Sequence, residues 1–130
     1  MAEYFEFKGT KLTTTGVTDI YNPTSGQDGN LTNASGTSVI LSVLASNIQS
    51  SGDVAVTLFT TATGSTSTDV ATVSGEASSF YMARGITVPS GASLELIVNK
   101  ANVPFGSKLR ALAGAASGVV FTVSAVDIQP

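Results

Sequence analysis

Nine carboxylates and six Lys or Arg residues are the only charged side chains in this sequence, which has no histidine and no cysteine. That closes off imidazole acid–base catalysis, thiolate attack, disulfides and His/Cys zinc sites. What remains is carboxylate chemistry, which needs two acids held at a working separation. Asp19, Asp28, Asp53, Asp69 and Asp127 sit beside turn formers or at the ends of strand-like runs, where Asx side chains satisfy nearby backbone groups. Glu95 lies between two leucines and is expected to face solvent or an interface. No two acids share a recognisable spacing. Asp28-Gly-Asn30 resembles the start of a calcium loop, but the next acid is Asp53 and a distal bidentate Glu is lacking. Asn30-Leu-Thr32 and Asn33-Ala-Ser35 fit the glycosylation acceptor pattern, a match expected by chance where Ser and Thr are this abundant. There is no Gly-x-Ser-x-Gly, Ser-x-x-Lys or Walker sequence, and a serine nucleophile would have no histidine to activate it. The sequence therefore predicts no catalytic residues, no cofactor and no metal.

The charge pattern points to surfaces instead. Charged residues make up 12% of the 130, with a net charge of −3, against about a quarter in an ordinary soluble domain. The six cations are scattered, so no basic face for phosphates or anionic lipid is expected, and neither nucleic acid nor membrane is a predicted partner. No apolar run is long enough to span a bilayer. The N-terminal segment mixes Glu and Lys with aromatics, unlike a secretory signal, so synthesis in a cytoplasm is expected. Residues 29–52, 54–68 and 111–126 contain no ionisable side chain. Ser, Thr and Asn do the solvating there, and such faces are easily desolvated. The plain alternative is an uncharged β-protein with no partner. The sharper reading is a subunit packed against neighbours, with Tyr4, Phe5, Phe7, Tyr21, Phe80, Tyr81 and Phe105 as interface anchors in a chain that lacks Trp.

The elements that must position these residues are strands. Val39, Leu41 and Val43 alternate with Ile40, Ser42 and Leu44, and Val54, Val56 and Leu58 with Ala55, Thr57 and Phe59. Leu94, Leu96 and Val98 share a face opposite Glu95, and Val119, Phe121, Val123 and Ala125 alternate with Val120, Thr122, Ser124 and Val126. A period of two carried by β-branched residues is the half-buried strand pattern. The runs at 39–44 and 119–128 are partly apolar on both sets, which predicts either central strands or strands with a partner on their second face. Shorter strands are expected at Tyr4–Lys8, Val17–Tyr21, Asp69–Val73, Phe80–Ala83 and Lys108–Leu112. Ser51–Asp53 has hairpin length, and Pro89–Gly91 and Ala115–Gly118 are turns. Residues 22–36 are expected to form a long surface loop, and Thr60–Thr68 an exposed hairpin tip. Leu109–Ala116 is helix-compatible, but Gly114 and Gly118 favour strand for its first half. The expected fold is all-β: residues 1–130 as a single-domain antiparallel β-sandwich, jelly-roll or Ig-like, with 1–12 as an extended N-terminal arm or an edge strand.

One longer pattern carries a resemblance. Gly85-Ile-Thr-Val-Pro-Ser-Gly-Ala-Ser-Leu-Glu-Leu96 gives a strand, a Val-Pro-x-Gly turn and a second strand. Lys108–Ala113, Gly118 and the closing strand Val119–Ile128 follow. With the run Val39–Asn47, this order resembles small β-sandwich virion proteins of tailed bacteriophages over about residues 39–128. The resemblance implies a non-enzymatic structural role, most simply a capsid cement or decoration protein on the virion exterior. Its partners would be its own copies, as a trimer, and the major capsid protein. The alternatives are a neck or tail adaptor or fibre-base subunit contacting portal or tail proteins, and a carbohydrate-binding β-sandwich module.

Overall fold

A computed structural model describes residues 2–61, 79–97, 100–115 and 117–130. Among them are nine strands: β1 (Ala2–Lys11), β2 (Thr18–Tyr21), β3 (Thr37–Asn47), β4 (Val54–Thr61), β5 (Ser79–Val88), β6 (Ser93–Glu95), β7 (Ala101–Pro104), β8 (Lys108–Ala113) and β9 (Val119–Gln129). No helix among the described residues is long and apolar enough to cross a membrane. β1 pairs with β9, β2 with β8, β3 with β6 and β4 with β5, all antiparallel. β9 also pairs with β3, and β8 with β4. One sheet therefore runs β1-β9-β3-β6, with β7 also on β3, and the other runs β2-β8-β4-β5.

Without β7, the described strands form one long antiparallel double strand. It is rolled so that successive pairs fall in alternate sheets, which is the jelly-roll form of the β-sandwich. The two inner faces meet over a core that includes Ile20, Ile40, Val43, Val56, Leu58, Leu109, Phe121 and Val123.

Strand β9 follows the expected alternation, with Val119, Phe121, Val123 and Ala125 buried. Both β9 and β3 are interior to their sheet, as their two-sided apolar character predicts. In β3 the alternation changes phase. Ser38 and Ile40 face inward, then Val43, Ala45 and Asn47 do. The register shifts between Ile40 and Ser42, which oppose the consecutive residues Ala125 and Ser124. Leu41 is thus the extra residue of a β-bulge and is exposed, instead of sharing a face with Val43.

Two connections act differently from a local reading. Ser51–Asp53 does not close a hairpin, because β3 and β4 belong to different sheets. Asn47 holds this corner: its Nδ2 donates to Gly52 O (3.0 Å) and Val88 O (2.9 Å), and its Oδ1 accepts from Gln49 N (3.0 Å). Pro89–Gly91 is the expected turn, with Ala92 N donating to Pro89 O at 3.0 Å and Gly91 at φ 73. It too carries the chain between sheets.

β6 is shorter than expected. Leu94 is exposed, Val98 lies outside the described residues, Leu96 is half-buried against the core, and Ile97 is buried in it. β7 was not expected at all, since Asn102-Val-Pro104 offers one apolar residue and a proline that fits only a sheet margin. Thr60 and Thr61 finish β4, while the rest of the expected tip and the Asp69–Val73 strand lie outside the described residues.

Candidate interaction surface

Among the described residues no three His, Cys, Asp or Glu cluster to hold a metal ion. The chemistry of the molecule lies in its faces and in one buried polar knot.

The 1–12 segment takes the edge-strand form of the two left open. β1 pairs with β9 over its full length without a register shift. Its odd residues oppose the outward-facing residues of β9, Phe5 with Val126 and Phe7 with Ser124, while Val126 in turn opposes Val39 of β3. Phe5 and Phe7 are 81% and 74% exposed. They head an outer sheet face that continues through Val126, Val39 and the bulged Leu41. Among the described strand residues, the ionisable ones placed on that face are Glu3 and Lys11, toward the ends of β1, and Glu95 on β6.

The inner side of β1 is polar. Lys8 Nζ meets Asp28 Oδ1 at 2.5 Å, and Asn30 Nδ2 donates to Glu6. These partners come from the 22–36 loop, which is only partly a surface loop. Pro23, Gly29, Leu31 and Gly36 are buried, and Thr32 N donates to Gln129 Oε1 at 2.8 Å. The loop closes the end of the sandwich over β1 and β9.

Beneath it sits Asp127, fully buried on β9. Its Oδ1 accepts from the Tyr21 hydroxyl at 2.7 Å and from Ser38 Oγ, and its Oδ2 accepts from Asn30 N at 2.9 Å. Tyr21, expected at an interface, is 1% exposed and belongs to the chain's own core. A register shift in β2 puts both Ile20 and Tyr21 inside, so the ring lies where its hydroxyl reaches the carboxylate. Burial first, and then the Asp127 carboxylate, push the Tyr21 phenol well above its usual range. Asp127, expected to serve local backbone groups, ties together three distant segments. Its odd number in the β9 alternation was the signal that it faces inward.

The outer face of the four-stranded sheet carries a second set. Phe59 is buried there with Val17, against Tyr81 and Leu112. The Phe59 and Tyr81 rings are 5.3 Å apart, and the Arg84 guanidinium lies 5.0 Å from the Tyr81 ring centre. Arg110, 2% exposed, has its Nε 2.7 Å from Asp19 Oδ1, and Lys108 Nζ is 3.6 Å from Asp19 Oδ2. An open hollow of about 520 Å³ adjoins this pair, lined by Thr13, Thr14, Gly16, Val17 and Thr18.

The seven expected anchors therefore separate. Phe5 and Phe7 share one outer face. Tyr4 is exposed near the end of β1, and Phe80 is exposed on β5. Tyr81 is half-buried against Phe59, Phe105 is half-buried in the turn before β8, and Tyr21 is internal. Leu41, Ile48, Met82, Ile86 and Leu94 are also exposed, without having been expected. Leu41 is exposed by its bulge, and strand alternation alone gives no sign of that.

No family model matches the chain, and no curated protein matches it in sequence. Among solved structures it is similar to one of infectious bursal disease virus, Gt strain, at 12% identity and a TM-score of 0.40, over 98% of this chain and 33% of that one. It is also similar to a pentameric capsid protein from metagenomic phage sequences, at 14% identity and a TM-score of 0.34, over 96% of this chain and 61% of that one. The chain thus spans about a third and three-fifths of the length of these two proteins.

Proposed function

We propose that this chain is a non-enzymatic structural subunit of a virion. More specifically, we read it as a cement or decoration protein of a tailed-phage capsid, set in threes around local axes, where it bridges neighbouring major-capsid subunits. The observation that supports this best is the outer face headed by Phe5 and Phe7, two well-exposed rings beside an ion-poor sheet surface. Rings left in water at that level mark a surface to be covered. Covering each stabilises a contact by roughly 1.5–3 kcal/mol before association costs are subtracted. The rolled sandwich supplies a rigid frame for such a face. It serves shells and lectins alike, so the face and not the fold selects the reading.

The test is co-sedimentation with particles of the major capsid protein encoded alongside this chain. Phe5→Ser with Phe7→Ser is expected to weaken attachment at least tenfold while the circular dichroism spectrum stays unchanged. Undiminished attachment would sink the reading. Copy number decides position: on the order of hundreds per particle for a shell, about six to a dozen for a neck or tail ring. Glycan affinity lost in the same variant would instead favour a carbohydrate-binding module.

A further inference from the structure

We infer that β1 joins two copies of this chain edge to edge, antiparallel, with Phe7 opposite Phe7 on a twofold axis. This goes beyond the virion reading by naming one partner and one register, and it can fail or hold separately from attachment to a shell.

The first ground is the state of the sheet margins. β6 and β7 are three and four residues long. β2 has four residues and a register shift, and β5 is shifted twice against β4 and passes through Gly85 at φ 63. Short or bulged margins resist strand addition. β1 has ten residues, no proline and no register shift. It is the one long, regular margin among the described strands.

The second ground is backbone phase. Leu12, one step past β1, donates its N–H to Val119 O (3.0 Å) and accepts from Ser117 N (2.7 Å). Even-numbered residues of β1 therefore turn their backbone groups toward β9. Glu3, Phe5, Phe7, Gly9 and Lys11 turn theirs outward. A second strand must meet these odd residues with odd residues.

The third ground is charge. Lysines and glutamates on a margin normally repel an added strand. In an antiparallel copy centred on Phe7, however, Glu3 faces Lys11 and Glu6 faces Lys8, each twice by symmetry. Centring on Glu6 or Lys8 sets like charges opposite each other, and centring on Phe5 pairs none. The Phe7 register also puts Phe5 opposite Gly9, where nothing lies within 4 Å of an added Cβ, so the ring has room to cover the glycine. One strand per copy makes a small, reversible joint, strengthened by repetition on a particle. Being twofold, it adds to any threefold contact there and does not form it.

The chain has no thiol of its own, so single cysteines report the register. Paired Cα atoms in such a site lie about 5.5 Å apart, within disulfide reach. On mild oxidation Phe7→Cys is expected to give a covalent dimer and Phe5→Cys to remain monomeric. In sedimentation the unmodified chain should form a concentration-dependent dimer. Glu3→Lys alone, or Lys11→Glu alone, should weaken it about tenfold. Mixing those two variants should restore it, because each then faces its opposite. A monomer at several hundred micromolar would overturn the joint. So would equal cross-linking at both positions, or a mixture no tighter than its components, with folding verified by circular dichroism.

Discussion

Burial and the Asp127 carboxylate keep Tyr21 protonated, which makes this one side chain visible in the pH dependence of stability. The unfolded phenol ionises near its ordinary value of about 10. Above that, the unfolded state releases a proton that the folded state retains, so stability is complete below about pH 10 and falls as pH rises, by up to about 1.4 kcal/mol per unit. Tyr21→Phe should cost about 1–2 kcal/mol at neutral pH and remove that one-proton slope. Denaturant melts of both proteins between pH 8 and 11 check this, and parallel slopes would refute it. Gly29 belongs to the same knot. A Cβ there would meet Pro23 O and stand 2.6 Å from Asp127 Oδ2, so Gly29→Ala should cost about 1–3 kcal/mol by lifting the 22–36 loop. Loop amides exchanging hydrogen no faster than before would contradict that. Sequence reasoning found Asp127 and Tyr21 but gave both the wrong neighbours, because their partners lie 106 positions apart and no local spacing encodes that.

At the scale of elements, two sites set the geometry in different ways. Gly85 adopts φ 63 at a bulge in β5, with nothing near an added Cβ, so Gly85→Ala should cost only the conformational term, about 1–2 kcal/mol. Asn47 makes three side-chain hydrogen bonds across the corner where β3 leaves its sheet. Asn47→Ala takes the amide donor from the buried Val88 carbonyl and removes two further hydrogen bonds, so it should cost more, about 2–4 kcal/mol. Urea midpoints of the two variants test the ordering, and a larger loss at Gly85 would reverse the account. Alternation sufficed to find β3, β4 and β9, because burial on one pleated face leaves a period of two. It could not find the Leu41 bulge, which depends on how many residues β9 presents opposite β3. Nor could it find β7, whose pairing comes from β3 and not from its own composition.

For the whole molecule, the position of β1 changes what a deletion would mean. Removing residues 2–12 takes away the neighbour of β9 and the fully buried Leu12. Such a chain should melt earlier and less cooperatively and tend to aggregate through the opened margin. Phe5→Ser should leave the melting temperature almost unchanged, since the ring touches mostly water. Thermal scans of the two separate these outcomes, and an intact deletion variant would show that β1 adds little to the sandwich. From composition and periodicity alone came an all-β sandwich without His or Cys chemistry, with central strands near 39–44 and 119–128 and charge-poor faces. These are properties of residue type and of neighbours two apart, which a linear string carries directly. The rolled strand order, the pairing of Asp127 with Tyr21, and the outward turn of Phe5 and Phe7 on an unblunted margin were decided only in three dimensions. Each depends on which distant strand lies alongside, and that is fixed by closing the core as a whole.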